Sequence, residues 1–564
     1  MNKEEWHEEF DVIVVGSGAG AITGAITAAK QGLKTVIIEK ASVWGGSSSM
    51  SGGGVWIPNN PVAVAAGLKD SFEEALEYME TVIEDIGPAS SRERKIAFLK
   101  NGPEMIQFLQ DEEIKFIAGM EYPDYYPDKP GGKISRALDT EFFDKRKLGD
   151  LGNTLRIEQE MPIPFSTTET AHLPKAFTKP KHFFKVVSLF ARGAKLKLQG
   201  KKALGLGNTL MANLMFVAQK YHVPVWLNSP CKRIITDGDR VLGIEVEKDG
   251  KRLALRSNSV IIAAGGFESN PEMRRKYQGV GADWTVGSAD NTGDLIQQCM
   301  DIGADMALLD DAWWGAVAID PSGNRNFFVW ERSMPHTIMV DQDGERFVNE
   351  SASYVDVGHK MLERENGKAV PSWLILESRN RNKYIFGMAM PRMTPKEYIE
   401  KGYFIKADTI EELAQKCHMN ADTFKATINR FNQFVDKGVD EDFERGRTAY
   451  DNYYGDPRYQ NPNLGKIEKG PFFAIKVYPG DLGTKGGMLT DEYARVLKDS
   501  KPIRGLYAAG NCSASVMGRT YPGPGSTLGA SMVFSYIAAK HAAENVGYES
   551  EKIAEPEREL EPVL

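Results

Sequence analysis

The chain has 564 residues, more than one ordinary domain, and 42% of them are hydrophobic, enough to bury a sizeable core. Its formal net charge of −8 argues against general nucleic-acid binding. The four cysteines, Cys231, Cys299, Cys417 and Cys512, form no CxxC pair, which suits a reducing compartment and offers no metal site. The first residues are polar and acidic, with no apolar signal core, and no run of 18 apolar residues occurs. The expected location is therefore cytoplasmic.

The first element is Asp11-Val-Ile-Val-Val-Gly16-Ser17-Gly18-Ala19-Gly20-Ala21, a β-branched run entering a glycine turn. A helix pattern follows to Gln31, then a strand, Thr35-Val-Ile-Ile-Glu39. Strand, Gly-x-Gly-x-x-Ala, helix, strand and acid form the dinucleotide-binding fingerprint. Gly16 makes the tight turn, and Gly18 lets the backbone approach a pyrophosphate. The helix N-terminus offers N–H groups to the phosphates. Glu39 would accept hydrogen bonds from the adenosine ribose. Two further permissive, hydroxyl-rich turns follow, Gly45-Gly46-Ser47-Ser48-Ser49 and Ser51-Gly52-Gly53-Gly54. They would line an extended cofactor beyond its adenosine half, which favours FAD over NAD. The expected cofactor residues here are Gly16, Ser17, Gly18, Ala19, Gly20, Glu39, Lys40, Gly45, Gly46, Ser47, Ser48, Ser51, Gly52 and Gly53.

From Asn60 to about Gln110 the periodicity is helical, with Ser71 as an N-cap. The loop Tyr122-Pro-Asp-Tyr125-Tyr126-Pro reads either as a packed surface loop or as an aromatic wall for an apolar substrate. From Ala171 to Thr236 there is no Asp or Glu, and over 174–202 Lys and Arg alternate with Phe, Val and Leu. That mixture describes an interfacial amphipathic segment able to meet anionic lipid. A solvated basic face or a subunit contact is the alternative. A helix over 205–221, a hairpin over 231–246, and a buried strand ending Ala263-Ala264-Gly265-Gly266 come next.

Near Gly303 the pattern changes to mixed short strands and helices, including a hairpin over 337–351 and a helix over 421–437. The chain then returns through Gly483-Thr-Lys-Gly-Gly487 and a strand ending Ala509-Gly510-Asn511. The last helix starts near Ser526, with Thr527 and Leu528 in its first turn, and runs to about Glu544. Ala264, Gly265, Gly510, Asn511, Thr527 and Leu528 complete the cofactor set. The fold class is α/β, a Rossmann-like FAD-binding domain with an inserted α+β cap. The expected division is 1–302 and 470–548 for the FAD-binding domain, with the basic insertion at 165–203, 303–469 for the cap, and 549–564 for an acidic tail.

Together the nucleotide turn and the two later glycine-ended strands resemble the succinate dehydrogenase/fumarate reductase flavoprotein superfamily. Pro123-Asp-Tyr125, Asn349-Glu-Ser-Ala-Ser-Tyr354, Gly483-Thr-Lys-Gly-Gly487 and Tyr521-Pro-Gly-Pro-Gly525 are more specific. In that order they resemble the 3-ketosteroid Δ1-dehydrogenases, over about residues 8–545. The resemblance implies FAD-dependent oxidation of a 3-oxosteroid A-ring, a hydride leaving carbon 1 and a proton leaving carbon 2. Tyr354 matches the proton-abstracting tyrosine and Tyr125 the tyrosine bonded to it, with Tyr126 as the neighbouring alternative. Tyr521 and the backbone N–H of Gly525 match the pair that polarises the 3-oxo group. Trp314, Tyr126 and Pro522 are the expected substrate contacts.

These roles are physically consistent. The carbon next to a ketone is acidic only if the enolate oxygen is stabilised, and each donor of an oxyanion hole contributes roughly 3–4 kcal/mol. A phenol titrates near 10, too high for an efficient base near neutrality, unless a second hydroxyl or positive potential favours the phenolate. No histidine follows Gly46, so the FAD is expected to be non-covalent. His336 and His359 read as structural. The expected electron acceptor is quinone-like, and the basic segment implies a peripheral membrane location. Three alternatives stay open: action at carbons 4 and 5, a fumarate-reductase-like enzyme, and a non-catalytic membrane-docked flavin-binding protein.

Overall fold

Val12–Val15 is four buried β-branched residues, paired in parallel with Thr35–Ile38 on one side and Ser259–Ile262 on the other. Lys501–Ala508 extends this sheet beyond Ser259–Ile262, and Val225–Trp226 extends it beyond Thr35–Ile38, both in parallel. Alternate residues go to opposite faces, as the pleat requires. Val12, Val14, Ile37 and Ile261 enter one core, while Ile13, Val15, Val36, Ile38 and Ile262 enter another. Both faces are covered, which is why these strands are continuously apolar. The computed structural model describes residues 5–158, 163–387 and 389–554, with the backbone alone for 545–554.

The helix after the glycine turn, Ala19–Lys30, is buried from Ala19 to Ala28. It packs on Leu206–Lys220 and on the final helix, Ser526–Ala554. Gly20 makes that approach possible, since a Cβ there would sit 2.2 Å from the Ser531 hydroxyl. The final helix continues past Glu544 to Ala554, so it takes in the first residues of the expected acidic tail. Residues 555–564 of that tail lie outside the described residues.

The second sheet is antiparallel. Phe472–Thr484 is its central strand: Ser372–Glu377 and Ile405–Ala407 pair with opposite edges of its first half, and Ala312–Ile319 pairs with its second half. This sheet therefore reaches Thr484, past the boundary expected at 469. The hairpin expected over 337–351 does not form: Thr337–Val340 pairs with Ser372–Glu377, and only Val340 bridges back, to Arg346. A buried ion network takes the place of the return strand. Glu350 accepts from the Met339 N–H at 3.0 Å and pairs with Arg346 and Arg445 at 2.8 and 3.0 Å. The helix Ala421–Lys437 covers this sheet through Phe424, Ile428 and Phe431. The basic segment contains a 19-residue helix, Pro180–Leu198, in which only His182, Leu189 and Gly193 are buried.

Candidate active site

One cavity of about 870 Å³ runs between the two sheets, within the range of ligand sites. At one end it is walled by the glycine turn. Gly16 lies at φ +109, and a Cβ there would meet the Ala263 carbonyl oxygen at 2.2 Å. Glu39 is half-buried at the strand end, and desolvation there raises its pKa. Its carboxylate accepts from the Ser17 hydroxyl at 2.5 Å and from the Ala41 N–H at 2.8 Å. A carboxylate has about four acceptor sites, so capacity remains for a ribose diol. Lys40 reaches Thr292 and Asp294 at 2.6 and 2.7 Å, tying the acid strand to the 285–294 segment that also lines the cavity. Ser47 accepts from the Ser288 N–H and the Asn291 amide at 2.9 and 3.0 Å.

These residues fit an FAD. Gly46 lines the cavity at φ +50 with no protein atom within 4 Å of an added Cβ, a space that a bound group would fill. Ser48, Ser51, Gly52, Gly53, Ala264, Gly265, Gly510, Asn511, Thr527 and Leu528 line it too, in one continuous wall. Ala19 and Gly45 stand behind that wall. The Ala19 N–H donates to the Ser48 hydroxyl at 3.0 Å, and the Gly45 N–H to the Ser17 hydroxyl at 3.0 Å.

At the other end the wall is aromatic. Tyr125, Tyr354 and Tyr521 come from three distant parts of the chain. Ring centroids lie 5.4 Å apart for Tyr125–Tyr354, 5.2 Å for Tyr125–Tyr521 and 5.0 Å for Tyr354–Tyr521. Each is placed by its own backbone. The Tyr125 N–H donates to the Pro522 carbonyl at 2.9 Å, locking the two loops together. Tyr354 opens the helix Tyr354–Glu363. Gly525 lies at φ +93, with a would-be Cβ 2.1 Å from the Gly54 carbonyl oxygen, so only glycine fits. Its N–H donates to no acceptor among the described residues.

The Tyr125 hydroxyl donates to the Tyr354 oxygen at 3.5 Å, the loose limit of a hydrogen bond. Burial holds the Tyr354 phenol well above 10, the neighbouring Tyr521 adds to this, and the Tyr125 hydrogen bond offsets it only in part. Tyr126 takes a different partner, its hydroxyl donating to Asp356 at 2.9 Å, and it does not line the cavity.

Trp314 and Pro522 do not line it either. The Trp314 indole is buried and donates to Asp311 at 2.9 Å. Trp313 packs edge-on against Tyr521 instead, at 5.1 Å. Pro522 acts through its carbonyl, which accepts from Tyr125 and from the Tyr78 hydroxyl at 2.6 Å. Tyr122, first in the loop read as either a packed surface loop or an aromatic wall, joins Tyr454 hydroxyl to hydroxyl at 2.9 Å; sequence reasoning missed Tyr454 and Phe327, which meets Tyr354 at 5.1 Å. All three line the cavity. The Tyr450-Asp-Asn-Tyr-Tyr454 cluster was a usable signal, the same aromatic density as 122–126.

Comparison with known proteins agrees with this geometry. The family signature of the FAD binding domain matches residues 11–528. The 3-oxosteroid 1-dehydrogenase of Mycolicibacterium smegmatis is 43% identical over 94% of this chain and 97% of its own. That of Mycobacterium tuberculosis is 41% identical over 96% of this chain and 99% of its own. The crystal structure of the 3-ketosteroid Δ1-dehydrogenase of Sterolibacterium denitrificans, in complex with 1,4-androstadiene-3,17-dione, superposes with a TM-score of 0.90. It is 38% identical and covers 95% of this chain and 100% of that one.

Proposed function

The chain belongs to the FAD-binding flavoproteins of the succinate dehydrogenase/fumarate reductase superfamily, on their 3-oxosteroid 1-dehydrogenase branch, and from that premise we propose a division of labour within its pocket. The substrate is a 3-oxosteroid, whose A-ring loses a hydride from carbon 1 and a proton from carbon 2 as the 1,2 double bond forms. FAD, held without a covalent bond, supplies the hydride acceptor. Tyr354 takes the proton. Tyr125 donates to the Tyr354 oxygen and favours the phenolate. The Tyr521 hydroxyl and the Gly525 N–H hold the 3-oxo oxygen and stabilise its enolate charge.

The observation that carries this reading is the meeting of three tyrosines with one unengaged N–H, at the end of a pocket whose other end fits a dinucleotide. The raised Tyr354 pKa fits a base that works best above neutrality. Replacing Tyr354 with Phe tests it. Turnover of androst-4-ene-3,17-dione should fall about 10³-fold, on the scale of losing a proton-transfer group, while the yellow flavin spectrum persists. Unchanged turnover would remove Tyr354 from the reaction.

The basic helix supports a second reading, docking on an anionic membrane surface that brings a lipid-soluble steroid and a quinone-like acceptor to the same place. Phe184, Phe190 and Leu198 are 67%, 57% and 89% exposed, beside Lys181, Lys185, Lys195 and Lys197. Lys181 pairs with Glu121 at 3.2 Å, which joins this face to the exposed Ile117 and Met120. Exposed apolar rings among lysines match the chemistry of an anionic bilayer. The protein should float with vesicles containing phosphatidylglycerol and stay down with pure phosphatidylcholine. Failure to float with either would end this reading. No helix among the described residues is long and apolar enough to cross a membrane.

A further inference from the structure

Two tyrosines of the cavity wall have no part in the proposed reaction. Tyr122 and Tyr454 are both buried, and they meet hydroxyl to hydroxyl at 2.9 Å across 332 positions of sequence. Tyr122 is fixed by stacking on Tyr453 at 4.4 Å. The Thr170 hydroxyl, also in the wall, stands beside the Tyr454 oxygen and gives its own hydrogen to the Thr167 carbonyl at 2.6 Å. A phenol carries one hydrogen and accepting lone pairs. One bond between the two tyrosines leaves one hydrogen and several lone pairs over. Thr170 can engage one of these, and no other described residue engages the rest.

The same cavity shows what packing alone requires. Phe327 lines it too and meets Tyr354 edge-on at 5.1 Å, with no polar atom on its ring. Phenylalanine at 122 and 454 would offer a hydrocarbon ligand the same surface. A hydroxyl pressed against hydrocarbon loses its hydrogen bonds to water and gains none, which costs free energy. Two hydroxyls kept together in this wall fit a ligand that brings an oxygen of its own.

We infer that the Tyr122–Tyr454 pair recognises a second oxygen, hydroxyl or oxo, on ring B, C or D of the steroid, so that the preferred substrate is a 3-oxosteroid oxygenated twice. The inference rests on the 3-oxosteroid reading proposed above. Of the three tyrosines at the ketone end, Tyr122 approaches Tyr125, at 6.5 Å between centroids. The pair thus stands one ring away from the group that holds the A-ring, within the length of a four-ring nucleus. Either kind of oxygen suits it, because the pair has both a hydrogen to give and lone pairs to receive one.

The test compares kcat/KM of the holoenzyme for androst-4-en-3-one, which has no second oxygen, with the values for its derivatives oxygenated at carbon 7, 11, 12 or 17. At least one derivative should be preferred by about tenfold or more, the worth of one hydrogen bond, with the gain in KM. The double variant Tyr122→Phe/Tyr454→Phe should bring that ratio to about one. Removing both partners of a hydrogen bond while keeping both rings is close to neutral for folding, and flavin content and Tm check this. No preference for any derivative would overturn the inference, and so would a preference that survives in the double variant. Should the double variant fail to fold, a crystal of the wild-type holoenzyme with the preferred derivative decides. A second oxygen within about 3.5 Å of either phenol oxygen supports the inference, and one farther away overturns it. Wild-type holoenzyme that turns over none of these steroids would overturn the 3-oxosteroid reading itself, and this inference with it.

Discussion

The two ends of the main cavity are built from different parts of the chain. The nucleotide end is backbone: glycines at positive φ, N–H groups, and serine hydroxyls that brace one turn against the next. The ketone end is side chain: phenol rings brought to the cavity wall from residues 122, 125, 354, 454 and 521. A backbone site tolerates no added volume, because the groups that would have to move are themselves main chain. A side-chain site tolerates deletion of a single atom and reports it in chemistry rather than in folding. The difference can be broken or sharpened one residue at a time.

The largest effect is expected at the nucleotide end. Gly16→Ala would place a Cβ 2.2 Å from the Ala263 carbonyl, with φ at +109, where only glycine is at ease. Overpacking and backbone strain of this kind cost roughly 1–3 kcal/mol each. Both are concentrated where the pyrophosphate would lie, so FAD affinity should fall by up to about 10⁴-fold and the protein should purify with almost no flavin. A normal flavin content, read from the ratio of visible to ultraviolet absorbance, would show that the turn can relax and that the contrast between the ends is overdrawn.

The same difference explains what could be read before the structure. A glycine turn is a local pattern, so the strand, turn, helix and acid stand where the spacing predicts. The helix Ala421–Lys437 likewise has the expected bounds, because Asn420 caps its start at 2.9 Å from the Thr423 N–H and Gly438 ends it at φ +76. The tyrosine cluster has no such local signature. Tyr125 and Tyr354 lie 229 positions apart, and only likeness to a family points to them together. Parity is the sharpest case. Trp313 and Trp314 are adjacent on the strand Ala312–Ile319 and face opposite sides, one to Tyr521 and one to Asp311. A shift of one residue in register exchanges them, and composition cannot choose. The expected hairpin over 337–351 failed for a related reason: the Glu350 network depends on Arg445, far along the chain.

At the ketone end the next effect in size belongs to Tyr521→Phe. The ring would stay stacked on Tyr125 at 5.2 Å and edge-on to Trp313 at 5.1 Å, so packing survives. On the proposed division of labour, what is lost is one donor to the developing oxyanion, which costs roughly 2.7–4 kcal/mol, a fall of about 10²–10³ in kcat. FAD content and Tm should be close to wild type. A loss confined to KM, with kcat retained, would mean that Tyr521 shapes the pocket and does not stabilise charge.

The smallest effect, and the most informative, is expected from Tyr125→Phe. The hydroxyl removed is the one that donates to Tyr354 at 3.5 Å and lowers its pKa against the larger effect of burial. A base active in its deprotonated form follows a rate that rises with pH towards its pKa. Without the Tyr125 hydroxyl that pKa climbs further, so the rising limb should move to higher pH by about one unit, the worth of one modest hydrogen bond at 1.36 kcal/mol per unit. At neutral pH the rate would fall about tenfold, and at sufficiently high pH it would recover. A tenfold loss that is the same at every pH would mean that Tyr125 positions the ring of Tyr354 through their edge contact at 5.4 Å, and that the charge of the phenolate is set elsewhere.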